Sequence, residues 1–581
     1  MGGTRPRATE RRARRAAAVA ALVVTLCTLL PVATRADEAP LRDAPVIWFA
    51  DDARPIAAPA PDERGLVPYA LEAFIGRSFS RFWNPARRVR SLGGDGPSHE
   101  SLDINTLDEV VDSSWFTNRI GLRPLSEAEL AAGAAHGSEL AGGPDLRGGL
   151  VVLKAKTAGV TPGFTVRDGR GDVWLLKFDP PAHPGMTIRA GVVSNLVFHA
   201  LGFNTPVDRV VTFTRDDLVL EGRITINLER GRALTVNAAN LDSMLAATNS
   251  VFGGRYHALA SRYLDGKLLG SFDDQGCRED DPNDLIPHED RRELRALRVF
   301  CAWLNHFDMK RHNTLDIYAG QPGEGHVRHY LIDFASTLGT FGDRIVPRFG
   351  YEYGIDFFPI LGRMATLGLV EDAWAGLVPP AGLPEVGIFS ADVFEPDGWK
   401  PDLPHSGMAN LTRRDGYWAA KVISAFTADD LRQIVRQGRY QDPRAEDYLL
   451  QTLLARQRAI VEHWFDRVPP LDFFIADERG VTFTDLATSR GFAAAGGSAY
   501  RYRLSAVDAQ RHGEPGPWVT TGECRLPLAG ADGRPVPGVP LVDAGHPFLA
   551  LEVQLDRGRG WSASTTAYLA PASRRIVAVD R

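Results

Sequence analysis

Cysteine is scarce in this sequence: four residues in 581, with Cys27 in an N-terminal apolar run and Cys277, Cys301 and Cys524 after it. Three widely spaced thiols cannot staple a chain of this length, so a disulfide-built scaffold is excluded and at most one bridge can form. Cys301 falls in an apolar, helical segment and reads as a buried hydrophobe. A surplus of positive charge is also missing. Lys and Arg number 66 against 72 Asp and Glu, a net charge of −6. Residues 1–36 hold seven Arg and one Glu, so the chain from Asp37 onward carries −12. That balance argues against a nucleic-acid partner, because phosphate contacts need a basic excess on at least one face. Apolar runs are short as well, which excludes a multi-span membrane protein. There is no internal repeat, and neither a G-x-S-x-G elbow nor an H-E-x-x-H motif, so a hydrolase is disfavoured.

What is present begins with export. Arg5, Arg7, Arg11, Arg12, Arg14 and Arg15 precede an apolar run from Ala16 to Leu30, and small residues follow to Ala36. This is the order of a secretory signal peptide over 1–36, and the run is too short for a comfortable membrane span. Leu26 before Cys27 does not fit a lipid-attachment signal. The expectation is an exported protein, periplasmic or extracellular, with no membrane span once the signal is removed.

A length of 581 residues predicts three or four units, and 44% hydrophobic with 24% charged residues predicts globular ones. Residues 37–148 read as an extension with little core of its own. From Gly149 the composition turns to strand, at Leu150 to Leu153, Phe164 to Val166 and Val173 to Phe178, with Asp168-Gly169 and Gly171-Asp172 as turn residues. Gly191 to Leu201 then reads as a helix ended by Gly202, and Val207 to Phe213 as a strand. Glu289 to Asn305 has helical spacing of Leu294, Leu297, Cys301 and Leu304. Thr427 with Asp430, and Asp442 with Pro443, read as helix starts. After Pro469-Pro470 the period becomes two, in Tyr500, Tyr502, Leu504 and in Leu549, Leu551, Val553, Leu555, which predicts a small all-β sandwich over 473–581. The acidic run from Asp273 to Asp284 reads as a solvated loop, and Asn105 to Asn118 as a packing segment.

The segment with most chemistry is His306-Phe307-Asp308-Met309-Lys310-Arg311-His312-Asn313, with Asp333-Phe334-Ala335 beginning twenty residues after Asn313. Phosphoryl transfer needs a carboxylate near the incoming nucleophile and hard oxygen ligands for Mg²⁺. Asp308, Asn313 and Asp333 are groups of those types. Upstream, Lys177 is the sole cation in the apolar strand Val173 to Phe178, and a desolvated ammonium there needs an anionic partner. Lys154 and Lys156 compete for that role. The loop Lys156 to Gly163, with Gly159 and Gly163, could let backbone N–H groups approach phosphates, although it lacks G-x-G-x-x-G spacing.

The run H-x-D-x-K-x-x-N at 306–313 resembles the catalytic loop of the protein kinase-like superfamily. The chain is similar to its atypical branch, HipA-type and phosphoinositide kinase-like proteins, and more closely to a group of uncharacterised exported bacterial proteins. The resemblance spans about 150–470 and implies an α+β, two-lobed kinase-like fold, with a β-rich lobe and hinge over 149–270 and a helical lobe over 271–472. It also implies Asp308 as catalytic base, Lys310 steadying the transferred phosphoryl group, Asn313 and Asp333 as Mg²⁺ ligands, and Lys177, Gly159 and Gly163 at the ATP phosphates.

Three departures accompany it. The helix after the lysine strand has no acid in Arg189 to Asn195 to orient Lys177, the third residue of the metal motif is Ala335 instead of Gly, and no A-P-E follows. Two classes of function are therefore expected: a phosphotransferase acting on a protein or small-molecule acceptor, or a catalytically degenerate binding protein that works through its β-sandwich.

Overall fold

The computed structural model describes residues 39–62, 69, 99–155, 163–180, 182–220, 224–227, 233–236, 238–246, 248, 251–252, 254–342, 344–530, 532 and 534–581. The segment 1–36, read from sequence as a signal peptide, and Gly159 lie outside them. The chain is mixed α+β with several sheets. A short helix, α1 (Glu127–Ala132), opens with a reciprocal capping box between Ser126 and Glu129. Strands β1 (Leu150–Ala155), β2 (Gly163–Arg167) and β3 (Val173–Lys177) then form an antiparallel meander. Asp168 holds the β2–β3 turn by accepting from the backbone N–H groups of Arg170 and Asp172 and from the Trp174 indole.

Helix α2 runs Met186–Leu201 and starts earlier than its apolar spacing predicts. The reason is Asp179, a buried carboxylate that accepts from the N–H groups of Gly185, Thr187 and Ile188 and from the Thr187 hydroxyl. These bonds satisfy donors that the first helical turn leaves without intrahelical partners. At the other end Gly202 has φ +132°, and a Cβ there would fall 2.2 Å from the Phe116 ring. Glycine thus both stops the helix and admits Phe116.

Strands β4 (Asp208–Phe213), β5 (Leu218–Val219), β6 (Ile224–Asn227) and β7 (Ala233–Val236) follow, then helix α3 (Ala238–Ala246) and strands β8 (Val251–Phe252) and β9 (Arg255–Arg262). The large sheet has the order β4-β9-β3-β2-β1-β5, with β8 pairing β9, while β6 and β7 form a separate hairpin. Alternation divides its faces. Phe164, Trp174, Leu176 and Ala260 pack together on one, and Val210 and Leu259 turn to the other, into the core that contains α2.

Strand β10 (Lys267–Gly270), helix α4 (Arg292–Leu304) and strands β11 (Thr314–Ala319) and β12 (His326–Leu331) come next, with sheet order β10-β11-β12. Helix α4 begins after a 3₁₀ turn at His288–Asp290, which takes up the first residues of the expected helix. The acidic run before it is solvated only in part: Glu279 and Asp280 are exposed, whereas Asp274, Asp281 and Asp284 are buried, and Asp284 binds His288 at 2.7 Å and Arg291 at 3.2 Å. Helices α5 (Phe357–Ala365), α6 (Ser406–Ala409), α7 (Arg413–Ser424), α8 (Ala428–Arg436) and α9 (Pro443–Phe465) follow. Thr427 and Asp430 close a capping box on α8, and Asp442 caps α9 with Pro443 at the first position. Trp303, Trp418, Leu453 and Ile460 centre the main core, which also takes in Trp115, Phe116, Ile120 and Leu130 from the segment before the first sheet.

The last part contains strands β13 (Leu471–Ala476) and β14 (Gly480–Asp485), helix α10 (Leu486–Ser489), and strands β15 (Ala499–Val507), β16 (Val519–Thr521), β17 (Arg525–Pro527), β18 (Phe548–Asp556), β19 (Thr565–Ala570) and β20 (Arg575–Asp580). Two sheets, β13-β14-β17 and β16-β15-β18-β19-β20, share a core that includes Leu471, Val481, Tyr500, Leu504, Leu551 and Val553. Between them, Arg501 and Arg503 cover Trp518 with their guanidinium groups. No helix of the described residues is long and apolar enough to cross a membrane.

Candidate active site

The loop 305–313 is shaped by what ends α4. Asn305 adopts the left-handed conformation as C-cap, and the His306 N–H donates to the Cys301 carbonyl at 2.8 Å. Phe307 stacks on Phe349 with ring centres 4.0 Å apart, and its carbonyl accepts from the Asp402 N–H at 2.7 Å. Anchored on both sides, the next residues close on one another. Lys310 Nζ donates to Asp308 Oδ1 at 2.6 Å, while Asn313 Nδ2 donates to the Asp308 carbonyl at 2.8 Å and to its Oδ2 at 3.2 Å. Asn313 spends its amide N–H groups on Asp308, so its Oδ1 is left as the acceptor of that side chain.

The β11–β12 hairpin then brings the second motif back. Thr314 faces Leu331 across the ladder, and the Ile332 N–H donates to the Asn313 carbonyl at 2.9 Å. Asp333 therefore emerges beside Asn313. It holds φ +59°, a conformation that Asp tolerates better than most residues. Its Oδ1 lies 3.0 Å from Lys177 Nζ. An Asp and an Asn oxygen suit Mg²⁺, which commonly takes one or two carboxylates and completes its shell with phosphate and water. Among the described residues no group of three or more His, Cys, Asp and Glu is arranged to hold a metal ion.

Lys177 ends β3, and Gly163 pairs directly with it from β2. Burial disfavours the ammonium, but Asp333 outweighs that and raises the Lys177 pKa. Helix α2 carries no acid toward Lys177, as its sequence shows, and Asp333 is the carboxylate that the ammonium meets. A second carboxylate faces it from elsewhere. Lys177 pairs with Leu259 on β9, and Asp208 pairs with Ser261 two residues further along that strand, so all four share one face of the sheet. Asp208 is buried, and burial pushes its carboxyl up to about 6 against the opposing hydrogen bond from Ser261 and charge of Lys177. Its Oδ1 has no hydrogen-bond partner. Sequence reasoning passed over Asp208, because the adjacent Arg209 makes the pair read as an ordinary charged step in the strand Val207 to Val211.

Helix α2 offers small residues here. A Cβ on Gly191 would lie 2.8 Å from Leu259 Cδ1 and 3.6 Å from the Ala335 Cα, so the helix passes too close to the Asp333 loop for a glutamate at that point. Ser194 instead donates to Thr337 at 2.8 Å. His306 supports the same loop from below: its Nδ1 is 3.2 Å from the Ser336 carbonyl, and its ring packs against Phe198 and Phe334. Burial lowers its pKa to about 4, so the imidazole is neutral and serves as a packing group.

The competing lysines and other residues near this site are engaged elsewhere. Lys154 lies over the Tyr263 ring, and Lys156 is outside the described residues. His329 stacks on Trp115 and binds Asp316 at 2.7 Å. The segment 105–118 is a packing segment with buried charge: Asp108 pairs with Arg292 at 2.8 Å and with Arg581 at 3.2 Å. Glu109 pairs with Lys421, which also meets Asp472 at 2.8 Å.

No family model matches the chain, and no curated protein matches it. Among solved structures, the crystal structure of the Helicobacter pylori proinflammatory kinase CtkA aligns with 54% of this chain and 94% of its own at 9% identity. The TM-score is 0.28.

Proposed function

We propose that the chain is an atypical, two-lobed kinase-like phosphotransferase that moves the terminal phosphoryl group of Mg-ATP to a protein or small-molecule acceptor. The observation that carries this reading is the Lys177–Asp333 contact between two distant elements, joined through the Ile332 N–H to Asn313 carbonyl bond to a loop in which Asn313 and Lys310 both bind Asp308. Phosphoryl transfer asks the protein for position and charge more than for covalent chemistry. In this reading Asp308 accepts the proton of the acceptor hydroxyl as its oxygen bonds to the γ-phosphorus and the bond to the β,γ-bridging oxygen breaks, releasing ADP. Lys310 neutralises charge on the transferred group. Lys177 holds the phosphates of the nucleotide, with Gly163 on the adjoining strand. Asn313 and Asp333 would hold Mg²⁺, which supplies a Lewis acid that neutralises the phosphate oxygens.

Thermal unfolding with and without Mg-ATP, beside Asp333→Ala, tests the reading. A ligand at one hundred times its Kd adds about 2.7 kcal/mol of stability. The expected result is a metal-dependent rise that the variant lacks, followed by loss of γ-phosphate in the presence of an acceptor. One observation favours a second reading: no acid of α2 reaches Lys177, and Asp333 itself occupies it. A degenerate secreted binding protein, acting through the two-sheet domain after Leu471, would give no shift at millimolar nucleotide.

A further inference from the structure

A cavity of about 730 Å³ lies behind the connector Tyr263–Gly266 and is not used by the proposed reaction. Strand parity separates it from Lys177. Leu259 pairs with Lys177 and shares its face, whereas Arg262, three residues further along β9, turns to the opposite face and lines the cavity. Its charge is one-sided: Arg119, Arg262 and Arg328 line it against a single acid, Asp265.

The arginines differ in how far they are neutralised. Arg262 is paired with both Asp172 and Asp265 at 2.9 Å. Arg119 Nη1 donates to the carbonyls of His199 and Phe203 at the end of α2, which leaves its other nitrogens without a partner among the described residues. Neither Arg119 nor Arg328 forms an ion pair among the described residues. Burial lowers the Arg119 pKa to about 10 against the opposing charge of Asp112, and the charge of Arg328 adds a smaller effect in the same direction as burial. Asp112 itself is engaged by the backbone and side-chain amides of Asn118.

Two polar atoms on the same wall are also unmatched. Thr205 is 3% exposed, and its Oγ1 has no hydrogen-bond partner; Nδ1 of His199 has none either. Buried polar groups are ordinarily hydrogen-bonded, so each such atom calls for an account. The hold of Arg119 on α2 explains one of its nitrogens and leaves Arg328, Thr205 and His199 unexplained.

We propose that this cavity binds a small-molecule oxyanion, a phosphate or carboxylate compound, between Arg119 and Arg328, with Thr205 and His199 completing its hydrogen bonds. Guanidinium groups present paired donors that match both phosphate and carboxylate, and such charge-assisted bonds are the strong ones. The volume falls in the range of small-molecule sites, so the anionic group is one end of a larger ligand.

Calorimetric titration of the full chain with inorganic phosphate, and separately with succinate, tests this. Saturable binding is expected, unchanged in Lys177→Met and weakened about tenfold or more in Arg328→Gln, with a smaller loss in Thr205→Val. Arg328 is exposed on β12, so its replacement leaves the core intact. Preference for phosphate or for succinate identifies the anionic group. The proposal is overturned if neither anion binds at millimolar concentration, if Arg328→Gln and Thr205→Val both bind as the parent does, or if Lys177→Met abolishes binding, which would place the anion at the nucleotide site.

Discussion

Lys177 Nζ meets Asp333 Oδ1 at 3.0 Å, tying the end of the third strand of the large sheet to the residue that follows the β11–β12 hairpin. Asp333 remains 45% exposed in its side chain while Lys177 is largely buried, so the carboxylate side of the pair is reachable from solvent. A partly exposed ion pair contributes little to stability, about 1 kcal/mol or less.

Lys177→Met is therefore expected to weaken Mg-ATP binding at least about tenfold, the effect of losing one charge-assisted phosphate contact. Its urea midpoint should stay close to the parent's. A variant that unfolds much more easily but binds nucleotide normally would show the pair to be structural.

Asp308→Ala should separate transfer from binding. Loss of a positioned base lowers turnover by roughly 10²-fold or more, while Lys177 and Asp333, which the proposed reaction places at the phosphates and the metal ion, are unchanged. Single-turnover transfer and a nucleotide thermal shift, measured on one preparation, check both halves. Retention of full turnover would remove the base role from Asp308.

Asp208 gives a pH dependence with a definite sign. Its carboxyl is raised from 3.8 to about 6, chiefly by burial and further by Asp333. The folded state therefore binds the proton more tightly than the unfolded state between about pH 4 and pH 6, and stability from this group is present below that window and lost as pH rises through it. The shift corresponds to about 3 kcal/mol at most. Comparing urea stability of the parent and Asp208→Asn from pH 4 to pH 7 should show a fall in the parent that is smaller in the variant; parallel curves would count against the assignment.

Asp108 anchors a buried charge network outside the candidate site. Asp108 faces Arg292, Arg414 and Arg581, and its carboxyl is held below the ordinary range by these three guanidinium groups despite burial. Removing one partner of a buried pair leaves charge uncompensated and costs about 3–5 kcal/mol. Asp108→Ala should lower the denaturant midpoint accordingly. A change within the noise of the measurement would mean that water solvates those arginines.

Much of the candidate site was legible because its groups are close in sequence. Asp308, Lys310 and Asn313 lie within six residues, and the loop that closes them on each other is local. Lys177 was legible as a lone cation in an apolar strand. Its partner was not. The absence of a helix acid was legible, and its physical reason is that Gly191 brings α2 against Leu259 and Ala335, where a long side chain has no room. Asp208 was missed because nothing in its neighbours announces that β4 and β3 flank the same strand.

The amino-acid sequence by itself determined the short-range features: the meander from Leu150 to Lys177, the caps at Thr427 and Asp442, the stop at Gly202, the period-two strands after Pro470 and the composition of the 306–313 loop. Each depends on periodicity, capping or turn chemistry over a few residues. Only the tertiary structure decided which distant groups meet: Lys177 with Asp333, Asp208 on the same face as Lys177, Asp108 with Arg581, and two arginines lacking ion-pair partners behind Tyr263. Strand order and the packing of α2 set those meetings, and both arise from burial of apolar faces, a force without direction that favours contact and does not itself specify which charged groups are brought together.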